Sequence, residues 1–325
     1  MSSNGSPVWT PKSVVLFGTA VACIATFFGL LLYESRKKRY RLVGKVTKLI
    51  IYPVKSLAGV EVNQAECTPL GLEVNGIRDR MWMVMSDNHK LYVDIQYVHP
   101  LVTLHPESPC VTENELIVRN GKDPSKPPLK IPIFKDIPED ADVKETKIYM
   151  KNLEGLYTGD DVSKLLREYT GRDDIIIIQS IEHLKDDNVK RKTYHTYNSY
   201  HMITMPSVCD LNKRLEKKAS YKNFRPNIVI DGDNLEPFED DKWKYVKIGD
   251  AEFQFASFCD RCPIVNVDPE TGDYSPKVME ALRKYRLATG KLGSKFGNAP
   301  LFGTLHELRA PGTISVGDSV YAYYD

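Results

Sequence analysis

Ala256-Ser257-Phe258-Cys259-Asp260-Arg261-Cys262-Pro263-Ile264-Val265-Asn266-Val267-Asp268 lies between two runs that read as strands and carries two of the chain's six cysteines. Arg261 stands beside one thiol and Pro263 follows the other. The thiolate is the form of cysteine that attacks substrates or binds metals, and a neighbouring cation favours it. A zinc ribbon would need a second Cys or His pair, but Cys67, Cys110 and Cys209 are isolated and no His-x-x-x-His occurs. A thioredoxin motif opens a helix after a strand, whereas residues 263–267 read as extended. Two alternatives remain: a pair of buried, inert cysteines, or one sulfur that holds a soft metal.

Around this stretch the chain alternates short strands with turn signals. Residues 245–248 and 251–256 flank Gly249-Asp250 as a hairpin, and 227–230 run into the turn Asp231-Gly232. Residues 43–52 alternate as a half-buried strand stopped by Pro53, and 61–67 and 80–85 read as two more. The isoleucine run within 174–179 reads as a strand buried on both faces. Prolines crowd 100–140, which favours edge strands and loops. Three helices are expected. The first spans 160–169, acidic at its start and followed by Gly171. The second spans 206–219, with Val208, Leu211 and Leu215 on one face. The third runs from Ser275-Pro276 to about 288 and is closed by Gly290. The polar, tyrosine-rich segment 185–198 is expected as an exposed loop, and 312–324 as another Gly-Asp hairpin. Many short strands with three modest helices predict a β-barrel-based α+β fold, mainly β. The strand, glycine-rich turn and helix of a dinucleotide-binding unit do not occur.

A chain of 325 residues can bury a large core, in one big domain or two intimate ones. Its net charge of +1 supplies no global field for nucleic acid. Six scattered cysteines are not a disulfide framework and fit a reducing compartment. The exception to a soluble composition is 14–33, which contains no charged residue. About twenty helical residues span roughly 30 Å, one bilayer core. The apolar region of a cleaved signal peptide is shorter, about 7–15 residues, so a retained anchor in membrane lipid is expected. Arg36, Lys37, Lys38, Arg39 and Arg41 behind it outweigh Lys12 ahead of it, which places the remainder in the cytosol.

Cations and small polar residues recur at strand ends: Lys55-Ser56, Arg78 with Arg80, and Arg225-Pro226-Asn227. Arginine binds phosphate in a planar, bidentate way, although each of these alone reads first as a solvated surface charge, and only their association with the motifs around them lifts them. Six motifs stand in series: Tyr52-Pro53-Val54-Lys55-Ser56, Arg78-Asp79-Arg80, Asn223-Phe224-Arg225-Pro226-Asn227-Ile228-Val229, Arg261-Cys262 with Val267-Asp268-Pro269-Glu270-Thr271-Gly272, Pro300-Leu301-Phe302-Gly303, and Pro311-Gly312-Thr313-Ile314-Ser315-Val316-Gly317-Asp318. In order and spacing they resemble the MOSC family of molybdenum enzymes, in particular its mitochondrial amidoxime-reducing branch. The resemblance covers roughly residues 43–325.

The resemblance implies a MOSC β-barrel domain at 181–325 and a β-rich, barrel-like MOSC N-terminal region at 43–180. Ahead of these come a tail (1–13), the transmembrane anchor (14–33) and a basic linker (34–42). It further implies molybdenum held by the dithiolene of a pterin, Mo-molybdopterin, with Cys262 as the metal ligand and catalytic residue. Lys55, Ser56, Arg80 and Arg225 match residues on the cofactor's phosphate and pterin, Asn227 and Arg261 match positions close to it, and the counterpart of Cys259 does not bind metal. The implied activity is reduction of N-hydroxylated compounds, amidoximes and hydroxylamines, with nitrite as a further candidate. Because the chain has no nucleotide fingerprint, haem site or iron–sulfur cysteine set, electrons must come from outside. The family implies cytochrome b5 and NADH-cytochrome b5 reductase as donors, and the outer mitochondrial membrane ahead of the endoplasmic reticulum or peroxisome.

A membrane-tethered molybdopterin carrier without catalysis is the competing function, and an adaptor with a merely buried CxxC is a third. A sulfurase is less compatible, since those relatives carry a pyridoxal-binding domain for which this chain has no room. Two departures from the family bear on substrate range. An acidic residue and small residues are expected where Tyr194-His195-Thr196-Tyr197-Asn198-Ser199-Tyr200-His201 stands, and a bulky aromatic is expected at Leu305. His201 is a candidate proton donor by position.

Overall fold

A closed barrel is built from strands taken from both ends of the chain. In the computed structural model, which describes residues 39–107, 114–181, 194–195 and 200–324, the largest sheet has eight strands. Their order is Ile228–Asp231, Tyr200–Thr204, Leu301–Ala310, Ala251–Asp260, Trp243–Ile248, Ser319–Tyr324, Arg41–Ile51 and Val60–Val62. Arg41–Ile51 pairs on its other side with Ile228–Asp231, Lys45 opposite Asp231 and Leu49 opposite Ile228, and this closes the barrel. The alternation expected of 43–52 is thus a strand with neighbours on both sides, fully buried at Leu49, Ile50 and Ile51. Gly44 is required where it crosses Asp231, since a Cβ there would lie 2.2 Å from the Asp231 carbonyl oxygen. The barrel interior is filled by Tyr200, Met202, Ile228, Trp243, Val246, Phe253 and Val320.

A second sheet takes Ile175–Ser180, Lys151–Tyr157, Val143–Ile148, Leu91–Tyr92, Trp82–Ser86 and Val54–Lys55 in that order, and Ile175–Ser180 pairs back onto Trp82–Ser86. All six residues of Ile175–Ser180 are buried, as the unbroken isoleucine run predicts. Its outer face is covered by the helix Asp160–Thr170, which ends at Gly171 in the left-handed conformation. The proline-rich region supplies a separate three-stranded sheet, Leu104–Pro106, Glu115–Asn120 and Leu129–Pro132. A four-stranded sheet joins Gly312–Ser315 to Gln64–Thr68, Gly71–Val74 and Ile77–Arg78. The chain passes from the first closed sheet to the second at Tyr52-Pro53, and everything from Arg41 onward belongs to one compact unit.

Several expected elements differ. The helix at 206–219 is Met205–Asn212, because the Asn212 side chain turns the chain by bonding both the N–H and the carbonyl of Ala219. The helix expected from Ser275 is Lys277–Arg283, after which Leu287 bridges to Pro300, and Gly290 opens a short helix, Gly290–Phe296, instead of closing one. The turn at Gly317-Asp318 forms, but its two strands do not pair with each other. Gly312–Ser315 pairs with Gln64–Thr68, and Ser319–Tyr324 enters the barrel. The strand at 61–67 is two strands parted at Asn63, and 80–85 begins only at Trp82. The run 14–33 lies outside the described residues; among those described, no helix is long and apolar enough to cross a membrane.

Candidate active site

Lys55, Ser56, Arg80, Arg225, Asn227, Arg261 and Cys262 come from four separate parts of the chain and line one cavity. Arg78, the other cation noted at a strand end, is turned to Glu73 at 3.2 Å and is not among the lining residues. The backbone of the cavity wall is unusual. Ser56 (φ 80°), Arg80 (φ 56°), Arg225 (φ 54°) and Tyr149 (φ 52°) all adopt the left-handed region and all line the cavity. Such conformations cost energy for non-glycine residues and concentrate where function holds them.

The two arginines are organised by Tyr52, at the junction between the closed sheets. Its ring lies under Arg225, centroid to Cζ 4.3 Å, and under Arg80 at 4.9 Å. Asp79 fixes the same group from below. Its buried carboxylate accepts the Tyr52 N–H at 2.6 Å, pairs with Arg80, and meets His195 Nε2 at 3.0 Å. Burial pushes the Asp79 carboxyl up, but Arg80, His195 and the Tyr52 N–H outweigh it and hold the group at about 2. Ser56 Oγ donates to the Val93 carbonyl at 2.6 Å, which anchors the turn that carries Lys55. Burial first, and then Arg80, lowers Lys55 to about 7, against the opposing pull of Asp94. Burial likewise lowers Arg225 to about 10. Cations crowded in this way are stabilised by an anion among them.

The cysteines sit at the end of the strand Ala251–Asp260. Pro263–Asn266 is one turn of 3-10 helix with Cys262 at its N-cap, not the extended segment expected from its β-branched residues. Pro263 at the first position fixes the φ that such a turn needs and contributes no N–H. Both cysteines line the cavity, Cys262 exposed and Cys259 buried. Desolvation by the cavity wall raises both thiols; the Ile264 N–H and then Arg261 pull Cys262 the other way, and Arg261 does so for Cys259. Arg261 Nη1 donates to Cys259 Sγ at 2.8 Å and Nη2 to the Phe224 carbonyl at 2.9 Å, while its Nε is buried without a partner.

Asn227 turns its side chain to the barrel. Nδ2 donates to the Ile50 carbonyl and Oδ1 accepts the His201 N–H, both at 3.2 Å. His201 is buried, and burial together with Arg261 holds it well below the usual histidine range. Leu305 faces it across the strands as its register partner. Gly303 (φ 79°) leaves the ring its space, since a Cβ there would lie 2.6 Å from His201 Nε2. Most of 185–198 lies outside the described residues, but Tyr194 and His195 are described and are buried rather than exposed. The Tyr194 hydroxyl donates to the Glu154 carbonyl at 3.0 Å, and His195 lines the cavity beside Asp79.

Sequence patterns gave no site role to Asp79, Asp94, Tyr149 or His195, although Asp79 stands in the Arg78-Asp79-Arg80 motif and His195 in the departing segment 194–201. Asp79 had a signal, its place between the two arginines of a motif; the others meet the cavity only through tertiary folding. Among the described residues, no group of three or more His, Cys, Asp and Glu could hold a metal ion.

These two closed sheets with a cysteine- and arginine-lined cavity match known domains. The MOSC domain model matches residues 189–321 and the MOSC N-terminal beta barrel domain model residues 43–173. At full length, the chain is 31% identical over 335 residues to mitochondrial amidoxime reducing component 2 of Rattus norvegicus, covering 99% of this chain and 96% of that protein. Component 2 of Homo sapiens is 31% identical over 328 residues, covering 97% and 93% respectively. Component 1 of Danio rerio is 32% identical over 329 residues, covering 95% and 94%. The chain belongs to this MOSC-domain family, that of the mitochondrial amidoxime-reducing components.

Proposed function

We propose that this chain is a molybdenum-cofactor-dependent reductase of N-hydroxylated compounds. The observation that carries this is the convergence of one exposed thiol, Cys262, with Lys55, Arg80, Arg225 and Arg261 on a single cavity. Its donor set fits Mo-molybdopterin. The crowded cations suit a phosphate, and the buried Nε of Arg261 has no protein partner. With no set of three or more protein ligands among the described residues, a metal here would bring most of its own ligands, as a dithiolene does. The relatives' names, amidoxime-reducing components, support the substrate class.

In this assignment Lys55, Ser56, Arg80 and Arg225 would hold the phosphate and pterin, and Cys262 would give the metal a protein sulfur. When bound, the cofactor supplies a two-electron couple for cleavage of an N–O bond. Asp79 and Tyr52 keep the two arginines aimed at the cavity. Arg261 locks the turn before Cys262, so that the sulfur stays exposed. Asn227 lines the cavity and ties Ile50 to His201 behind it, and so would support the cofactor's pocket from the barrel. The overall reaction consumes two electrons and two protons, releasing the amine-level product and water.

The electrons come from cytochrome b5 and its NADH-dependent reductase. The run 14–33 anchors the chain in the outer mitochondrial membrane with 43–180 and 181–325 as its two cytosolic regions. Sharing a membrane with the donors raises their effective concentration. The test is metal analysis of the purified full chain, followed by benzamidoxime reduction with cytochrome b5, its reductase and NADH. Molybdenum near one per chain and NADH-dependent turnover, both lost in Cys262→Ser, are expected. Molybdenum without turnover favours a carrier instead, and binding unaffected by the substitution overturns the assignment.

A further inference from the structure

The cavity lining divides by chemistry. Arg80 and Arg225 gather on Tyr52, whereas Ile95 and Ile264 form an apolar wall continuous with Val102 and Val267. At the mouth, the hairpin of Val143–Ile148 and Lys151–Tyr157 turns through Tyr149 and Met150. Tyr149 is 62% exposed and Met150 97%, among the most exposed large apolar side chains of the described residues. A two-residue turn is ordinarily filled by Gly, Asn or Asp, which accept left-handed backbone. A tyrosine held at φ 52° is therefore a strained choice of residue at this position.

The strain has a geometric result: Tyr149 lines the cavity and meets Tyr92, ring centroids 6.0 Å apart, and Tyr92 in turn lies under Lys55 Nζ at 5.2 Å. An aromatic ladder thus leads from the solvent-facing rim to the half-buried Lys55. Exposed aromatic rings beside a polar pocket recognise flat apolar groups through offset or edge contacts.

We propose that Tyr149 is a specificity-determining residue that receives the apolar, preferentially aromatic, body of an N-hydroxylated substrate at the cavity mouth. This rests on the reductase assignment above and narrows its substrate class: aryl amidoximes and aryl hydroxylamines are favoured over small alkyl ones. The reacting N–O group would point inward, and the apolar body would stay between the Tyr149 rim and the Ile95–Ile264 wall.

The test compares the full-length holoenzyme with Tyr149→Ala and Tyr149→Phe, using benzamidoxime and acetamidoxime as paired probes. Tyr149→Ala should lower the benzamidoxime-to-acetamidoxime ratio of kcat/KM about tenfold, the size of one well-packed aromatic contact. Its molybdenum content should match wild type, and Tyr149→Phe should keep the wild-type ratio. Calorimetric titration with benzamidoxime reads the same loss without turnover. A chain that binds benzamidoxime through Tyr149 but reduces nothing refutes the reductase assignment while sustaining the rim. An unchanged ratio and dissociation constant in a folded, molybdenum-loaded Tyr149→Ala protein overturns the proposal. So does a rise confined to the KM for cytochrome b5, which would make the rim a protein-docking edge.

Discussion

Arg261 reaches back two residues to the sulfur of Cys259, Nη1 to Sγ 2.8 Å, and leaves Cys262 facing the cavity. The sequence places the arginine beside Cys262, where it would be expected to activate that thiol. Its charge still pulls the Cys262 thiol down, but the fold directs its hydrogen bonds elsewhere. Together with its bond to the Phe224 carbonyl, it ties the end of the cysteine-bearing strand to the segment that carries Arg225.

The two cysteines should therefore respond differently to substitution. Cys262→Ser is expected to abolish molybdenum retention, whereas Cys259→Ser keeps most of it and lowers the melting temperature. Arg261→Lys loses the fork that serves both partners and is expected to cost roughly 2 kcal/mol of stability. Metal content beside thermal melts checks all three. Equal metal loss from the two serine variants would remove the distinction.

Lys55 gives a pH signature to the ligand-free protein. Its folded pKa of about 7 lies below the ordinary 10.5, so between these values the unfolded chain binds more protons than the folded one. Stability accordingly rises with pH through this window, and the penalty is fully present below about 7. Lys55→Met should raise stability at pH 6 and flatten this rise, while weakening retention of a phosphate-bearing ligand. Urea melts of both proteins at pH 6, 8 and 10 test this, and parallel profiles would exclude Lys55 as the source.

Asp79 acts in the opposite direction. Its carboxyl is held at about 2, below its ordinary 3.8, so its contribution is complete above the higher value and disappears as pH falls towards the lower. Asp79→Asn leaves Arg80 and His195 without their anion and is expected to cost about 3 kcal/mol near neutral pH. The deficit should shrink in melts below pH 3; a deficit independent of pH would mean the carboxylate's charge is immaterial.

Gly303 offers a local test of the barrel strand behind the site. At φ 79°, an added methyl would lie 2.7 Å from Ile203 Cγ2 and 2.8 Å from the Met202 carbonyl oxygen, besides striking His201. Gly303→Ala should cost more than about 2 kcal/mol and reduce cofactor retention. A stable, fully loaded variant would show that the strand can yield there.

Local chemistry made much of this legible. Alternation in 43–52, the unbroken isoleucines within 174–179 and the Gly249-Asp250 turn depend on near neighbours, and all three form. Closure of the sheets is decided by partners far along the chain, so nothing local announced that Gly312–Ser315 and Ser319–Tyr324 would part company at their turn. The same holds within the cavity. Lys55, Arg80, Arg225 and Cys262 stand out through motif and residue type, and they line one cavity. Tyr52's role beneath two guanidiniums, and the burial of His195 in a segment of surface-like composition, arise only from tertiary approach.

The pairing of Arg41 with Ala322 has a consequence for synthesis. The barrel's opening staves leave the ribosome first, yet their hydrogen-bonding edge stays vacant until the final strand has been translated. Contacts of such long sequence separation form slowly, and an open β edge is prone to aggregate in the interval. Nascent chains truncated before residue 319 should therefore depend on chaperones to remain soluble.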